Sequence, residues 1–163
     1  MARRVALTAL LVVISGGVAA TAQTQMGRKP TAQEVAAIRG CAAKYKDDVQ
    51  EGERQCLFNP VAMPCTNTPE GSANLGAADC YRIEWAIWDD LLNANFKTLL
   101  GTLDDDQAAK ARAMQHAWIA YRDTTCNFYM DKIHGSMAIP MASACAARES
   151  ARRALLLDFF SGL

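Results

Sequence analysis

Six cysteines constrain the fold of this chain more than any other feature of its sequence. An even number of cysteines in an exported chain predicts disulfide bonds, and spacings typical of zinc sites, such as C-x-x-C, do not occur. The sequence alone leaves many pairings open. We favour the sequential pairing, because each bond would then close a segment that contains a predicted chain reversal. The three predicted disulfides join Cys41 to Cys56, Cys65 to Cys80, and Cys126 to Cys145.

The first residues have the pattern of a secretory signal peptide. Arg3 and Arg4 precede an apolar run at 5–14, and an Ala-Thr-Ala cleavage motif follows at 20–22. The apolar run is shorter than the roughly 18 residues that a membrane-spanning helix needs. We therefore predict cleavage after Ala22 and a periplasmic or secreted bacterial protein. An uncleaved membrane anchor and a twin-arginine export signal are the less favoured alternatives.

Loss of a signal peptide at 1–22 leaves residues 23–163, about 140 residues, which is the usual size of one domain. The 17 basic residues balance the 17 acidic ones, and loss of the two N-terminal arginines leaves a small negative excess. This charge is too weak to predict nucleic acid or an anionic membrane as a partner. We expect one domain that has a protein partner and no membrane association after cleavage. Nothing in the sequence sets the oligomeric state.

The spacing of apolar residues predicts an all-α fold. A capping box formed by Thr31 and Glu34 begins a first helix over 31–52. The segment 53–76 has no helical period and contains three prolines. A connection of this length is normally functional or held in place by cross-links. We therefore predict a long loop at 53–76 that two of the disulfides hold.

Three further helices complete the predicted fold. The second runs over 77–100, the third from an N-cap at 104 to about 132, and the fourth through 144–159, after a loop at 134–140. The short connection between the second and third helices makes them antiparallel neighbours. The sequence thus predicts a small, disulfide-stapled, all-α bundle of about four helices with a central antiparallel hairpin.

The helical phase assigns the larger apolar side chains to the core. On the third helix we expect Tyr121, Thr125 and Phe128 to continue the buried face. The three tryptophans could instead form a platform that stacks against sugars, but their spacing favours the core. These tryptophans are Trp85, Trp88 and Trp118.

The third predicted helix has an unusual density of polar and aromatic residues. A Trp-Ile-x-Tyr-Arg-Asp-x-x-Cys run occupies 118–126, and acidic and asparagine residues precede it on the second helix. In these positions, and at the downstream cysteine, serine and arginine, the sequence resembles the lysozyme inhibitor LprI-like family over about residues 65–157. The polar motif residues are Glu84, Asp89, Asn93, Arg112, Gln115, Trp118, Arg122, Asp123 and Arg153.

The resemblance implies a helical protein that binds and inhibits a lysozyme. Three features depart from the family's usual pattern. Thr125 stands where an acidic residue is common, Ser150 stands where threonine is usual, and the chain has no lipoprotein cysteine after its apolar run. The first helix, which carries Cys41, is an addition outside the matching region.

Independently of the resemblance, the polar motif residues have a structural interpretation. Arginine offers a planar set of donors to carboxylates, so Arg122 or Arg153 could pair with Glu84 or Asp89 and fix the helices in register. A surface recognition patch is the alternative, and an active site is the least favoured. No catalytic, nucleotide-binding or metal-binding fingerprint occurs in the sequence. We predict that the protein is not an enzyme and needs no cofactor and no metal.

We expect a protein that occludes the cleft of a muramidase. Such a cleft is lined by carboxylates, so a rigid loop that presents hydrogen-bond donors would block it. The loop at 132–140 is the first candidate, and the loop at 59–74 is the second. The alternative function is an envelope interaction or stress module that has no lysozyme target. The candidate contact residues of the first loop are Lys132, His134, Ser136 and Met137.

Overall fold

The computed structural model describes residues 27–163, and the predicted signal peptide lies outside this range. The described residues form six α-helices and no β-strand, which confirms the all-α fold. The helices are α1 (Ala32–Lys44), α2 (Val49–Cys56), α3 (Ala62–Thr66), α4 (Asn74–Leu100), α5 (Asp105–Lys132) and α6 (Ala138–Ser161).

The disulfides have the sequential pairing. Each of the three bonds joins two helices that follow one another in the chain: α1 to α2, α3 to α4, and α5 to α6. No cysteine in the described part of the chain is free. The Cα atoms are 5.6 Å apart in Cys41–Cys56, 5.7 Å in Cys65–Cys80 and 5.4 Å in Cys126–Cys145.

The prediction of one helix over 31–52 is wrong, because the structure divides this segment between two helices. α1 begins with the expected capping box and ends at Lys44, and α2 starts after its N-cap residue Asp48. A single helix that ran from Cys41 to Cys56 would separate the two cysteines by about 22 Å, far beyond the reach of a disulfide bond. The chain must therefore reverse between these cysteines, and it does so between α1 and α2.

The long loop predicted at 53–76 is also wrong in part. It contains the end of α2 and the whole of α3, and α4 begins at Asn74 rather than at 77. α3 has five residues, and its N-cap residue, Val61, makes no side-chain hydrogen bond. A helix this short depends on tertiary contacts, which a local sequence pattern does not reveal.

The last two helices follow the prediction more closely. α5 begins with a capping box in which Asp104 accepts the Gln107 backbone N–H and Gln107 accepts that of Asp104. α6 begins earlier than expected, at Ala138, so the loop before it is shorter than predicted. Pro140 lies in the first turn of α6, where a missing backbone N–H costs nothing.

α6 is the centre of the packing. It packs closely along α4, and it also contacts α5 and α2. The core between these helices contains Ile87, Trp88 and Leu92 from α4 and Leu157 from α6, all almost completely buried. Ile38 of α1 joins the same core. α5, in contrast, packs with one side only.

The side of α5 that is buried differs from the predicted one. Gln115 and Cys126 are buried, whereas Tyr121, Thr125 and Phe128 are exposed. Gln115 and Cys126 both have bonding partners on α6, one through a hydrogen bond and one through the disulfide. These two bonds orient α5. A prediction based on the spacing of apolar residues alone could not take them into account.

The capping box of α1 contains a pH-dependent ion pair. The Glu34 carboxylate accepts hydrogen bonds from the Arg28 guanidinium and from the backbone N–H and hydroxyl of Thr31. The bond from Arg28 is the main reason why the pKa of Glu34 falls from 4.5 to about 2, although burial opposes this shift. A lowered carboxyl pKa stabilises the folded state above pH 4.5, and that contribution disappears as the pH falls from 4.5 to about 2.

We therefore expect Glu34→Gln to lower the urea midpoint of unfolding above pH 4.5, and the difference from wild type to vanish as the pH approaches 2. Circular dichroism at a series of pH values measures both midpoints. Glu70→Gln, which changes an exposed glutamate, is the control. A difference that stays constant over this pH range would contradict the assignment.

Candidate functional site

Arg122 of α5 connects α5 to α4. Its guanidinium lies 3.5 Å from the Asp89 carboxylate on α4 and 2.8 Å from that of Asp123. The same group lies 4.9 Å from the ring centroid of Trp118 and 5.9 Å from that of Trp85. Contacts of this kind between a cation and an aromatic face are attractive, more so when the cation is shielded from water. Arg122 therefore links two helices through both charge and ring contacts.

Arg153 of α6 is buried beside α5. Its Nε atom donates a hydrogen bond to Oε1 of Gln115 at 2.9 Å, and its guanidinium lies 5.6 Å from the centroid of Trp118. No acidic side chain of the described residues forms an ion pair with it, and burial lowers the pKa of Arg153. The buried Gln115 thus serves as the polar partner of a buried arginine.

A third polar contact joins α4 to α6. The indole Nε1 of Trp85 donates a hydrogen bond to Oγ of Ser150 at 3.1 Å. Trp85 and Trp118 are partly buried as members of this network, whereas Trp88 is completely buried in the core. Together these contacts form a polar network that ties α4, α5 and α6 to one another.

Glu84 is completely buried, yet it lies outside this network. Its carboxylate accepts hydrogen bonds from the backbone N–H of Phe58 at 2.7 Å, the backbone N–H of Ala62 at 2.8 Å and Nε1 of Trp88 at 3.1 Å. Ala62 is the first residue of α3, so the carboxylate takes the place of the missing N-cap side chain. Burial raises the pKa of Glu84, and the three donors oppose that shift.

The structure therefore separates the polar motif residues into different environments. Glu84 binds the start of α3, and Arg112 is exposed on α5. The others lie in or beside the polar network; Asn93, for example, donates a hydrogen bond to Asp89 at 3.2 Å. These other residues are Asp89, Asn93, Gln115, Trp118, Arg122, Asp123 and Arg153.

The two loops that the sequence suggested for partner binding are in direct contact. Nδ2 of Asn74 donates a hydrogen bond to Oγ of Ser136 at 2.9 Å. The disulfide between α3 and α4 lies next to the loop between these two helices, and the disulfide between α5 and α6 joins the helices on either side of the loop at 132–137. We call residues 67–75 and 132–137 the two-loop surface.

The two-loop surface combines exposed apolar and polar side chains. Met137 is 57% exposed and Leu75 is 49% exposed, and both Lys132 and His134 are exposed as well. Gly135 has a φ of +92°, a backbone conformation that favours glycine and produces a sharp turn beside Ser136. Apolar side chains among hydrogen-bonding groups are typical of protein interfaces.

Sequence reasoning did not identify Leu75 as a surface residue. It lies in the first turn of α4, which the sequence assigned to a loop. Once the helix is known to begin at Asn74, the buried residues Glu84 and Trp88 mark the face of α4 opposite to Leu75. The correct helix start is thus the signal that would have identified it.

The part of the chain that the structure describes contains neither a cluster of metal ligands nor a membrane-spanning helix. Residues 27–163 hold no cluster of three or more His, Cys, Asp or Glu side chains arranged for a metal ion. None of the helices described here is long and apolar enough to cross a membrane. His116 and His134, the two histidines, are both exposed.

The fold and the surface define a small, disulfide-bridged, all-α protein in which most of the polar motif residues link helices. The chain belongs to the lysozyme inhibitor LprI family, whose model matches residues 65–157. The match covers α4 and α5, the last two residues of α3, most of α6 and two of the disulfides, while α1 and α2 precede it. No curated protein and no solved structure matches the chain.

Proposed function

We propose that this protein is an exported inhibitor that binds a lysozyme-type muramidase and occludes its cleft with the two-loop surface. Membership in the lysozyme inhibitor family supports a protein partner and argues against catalysis. We choose the two-loop surface as the binding site because of the hydrogen bond between Asn74 and Ser136. This bond joins two loops that are distant in sequence into one continuous surface.

Rigidity is the property that suits these loops to occlusion. A loop that is already ordered loses little conformational entropy on binding, so more of the contact energy appears as affinity. The Asn74–Ser136 hydrogen bond and the two flanking disulfides restrict the two-loop surface in this way. Lys132 and His134 supply donors for the carboxylates of a muramidase cleft, and Met137 supplies apolar contact area.

The disulfides also support the proposed location. Bonds of this kind persist in oxidising compartments, and all six cysteines of the chain are paired. We infer that residues 1–22 direct export and are removed, and that residues 23–163 work in the periplasm or outside the cell as one domain. In this proposal the polar network has a structural role, and the two-loop surface has the binding role.

Met137→Asp is expected to weaken muramidase binding by about 30-fold or more, the size of effect seen for a buried interface anchor. The substitution places a negative charge opposite a cleft that is itself acidic, and it removes an apolar contact. Isothermal titration against hen and goose lysozyme measures the dissociation constant, and cell-wall lysis measures inhibition. Ile119→Asp is the matched control, since Ile119 is an exposed apolar residue about 20 Å away along α5.

Two results would count against this proposal in different ways. If the wild-type oxidised protein inhibits neither lysozyme at roughly tens of micromolar, the inhibitor function is wrong, and the envelope interaction module becomes the better description. If it inhibits, but Met137→Asp inhibits equally well, the function stands and the two-loop surface is the wrong site.

A further inference from the structure

α5 has a second stripe on the side that faces away from α6, made mostly of alanine and aromatic side chains with a charged residue at each end. The side chains in this stripe follow one another mostly at steps of three and four residues, so they lie on one face of the helix. Every one of them is exposed, and two are large aromatic rings: Tyr121 is 52% exposed and Phe128 is 60% exposed. We call this stripe the outer seam; it consists of Lys110, Ala113, Ala117, Ala120, Tyr121, Thr124, Phe128 and Asp131.

The outer seam is distinct from the face that holds α5 in the fold. Gln115, Arg122 and Cys126 make the contacts to α6 and α4, and they lie on the opposite side of the helix. Aromatic side chains that expose half or more of their area next to a row of small residues mark a surface suited to a partner helix. The seam extends for about 30 Å along α5.

We propose that two copies of this chain associate through their outer seams as an antiparallel helix pair related by a two-fold axis. The charges of the seam support a second copy as the partner, because the seam has a basic residue at one end and an acidic residue at the other. In an antiparallel pair, Lys110 lies opposite the partner's Asp131, and the two-fold axis produces this ion pair twice.

Side-chain sizes fit the same alignment. With Lys110 opposite the partner's Asp131, Ala113 lies opposite the partner's Phe128, and Ala120 lies opposite the partner's Tyr121. Each large ring therefore meets an alanine, which leaves room for the ring while the two helices approach closely. Between these two contacts, Ala117 lies opposite the partner's Thr124, and both residues are small.

The neighbouring alignment is opposed by charge. A shift of one helical turn places Asp106 opposite the partner's Asp131, and the two-fold axis produces this like-charge contact twice. The same shift moves Lys110 away from its acidic partner. Charge therefore favours the first alignment over this one, in agreement with the side-chain sizes. A single helix pair is a small interface, so we expect a dimer with a dissociation constant in the micromolar range.

Sedimentation equilibrium of the oxidised, exported protein tests this proposal. The wild type is expected to dimerise reversibly, and Lys110→Glu is expected to raise the dissociation constant about tenfold or more by opposing two like charges. The double variant K110E/D131K restores the ion pairs with reversed sign and should recover most of the affinity. Phe128→Ser should also weaken the dimer, whereas Met130→Ser, which changes an exposed apolar residue outside the seam, should not.

Three results would overturn the dimer. One is a wild type that remains monomeric at roughly millimolar concentration. Another is a dimer whose dissociation constant does not respond to Lys110→Glu and Phe128→Ser. The third is a monomeric wild type whose lysozyme affinity falls with Phe128→Ser, because the seam would then bind the muramidase. Since Met137 lies outside the seam, failure of the dimer and failure of the proposed function are separate outcomes.

Discussion

Reduction of the three disulfides is expected to unfold most of this protein at 37 °C. The bonded cysteines are separated by 15, 15 and 19 residues. Closure of a loop of this length stabilises the folded state by about 3 kcal/mol through the entropy of the unfolded chain. Three such contributions are comparable with the whole stability of a typical domain, about 5–15 kcal/mol.

Urea unfolding with and without reductant, followed by circular dichroism in the far ultraviolet, measures this effect. Alkylation of the reduced cysteines verifies that all three bonds are open. The double variants C41S/C56S, C65S/C80S and C126S/C145S separate the three contributions, each expected to lower the free energy of unfolding by about 3 kcal/mol. A reduced and alkylated chain with the same urea midpoint as the oxidised one would show that the helices hold together without the bonds.

Replacing Glu84 by alanine is expected to lower the free energy of unfolding by about 3–5 kcal/mol. The substitution leaves three donors without an acceptor: the backbone N–H groups of Phe58 and Ala62 and Nε1 of Trp88. It also leaves a cavity, because Glu84 is completely buried. The start of α3 would lose the side chain that caps it.

The matched variant Glu84→Gln keeps the volume of the side chain and separates the two causes. Its amide oxygen can still accept hydrogen bonds, but its amide nitrogen would face a backbone donor. We expect a loss of about 1–3 kcal/mol, smaller than that of the alanine variant. Urea midpoints of both variants measure the difference. Equal stability of the alanine variant and the wild type would show that the carboxylate does not hold α3 in place.

Local sequence patterns were sufficient for the long helices and the disulfides. The capping boxes at Thr31 and Asp104 fixed two helix starts, because their hydrogen bonds involve residues within one turn. The sequential disulfide pairing also followed from local arguments, since each bond spans one chain reversal. These features depend on neighbours in the sequence, which a single chain displays directly.

The remaining features depend on contacts between distant residues. Glu84 reaches 22 residues back along the chain to cap Ala62, and this contact makes a helix out of part of a segment that contains three prolines. Similarly, Gln115 turns toward α6 because Arg153 lies there, 38 residues away. A pattern that counts only apolar positions therefore placed Tyr121 and Phe128 inside, although both are exposed.

The candidate binding surface also depends partly on neighbouring residues and partly on contacts between distant ones. Lys132, His134, Ser136 and Met137 were proposed from the loop that contains them. The contact of this loop with the start of α4 depends on the hydrogen bond between Ser136 and Asn74, two residues that are 62 positions apart. The sequence could name both loops as candidates, but it could not show that they form one surface.

The arrangement of the disulfides has a consequence for biogenesis. Because each bond joins two consecutive helices, its second cysteine follows the first by less than 20 residues, with no other cysteine between them. A chain that is threaded through a translocation channel from its N-terminus thus offers its thiols to an oxidant in correct pairs, in order of emergence. If the chain is exported as proposed, we expect stepwise oxidation to give the native connectivity directly, so that a thiol oxidase would suffice for maturation and reshuffling by an isomerase would be unnecessary.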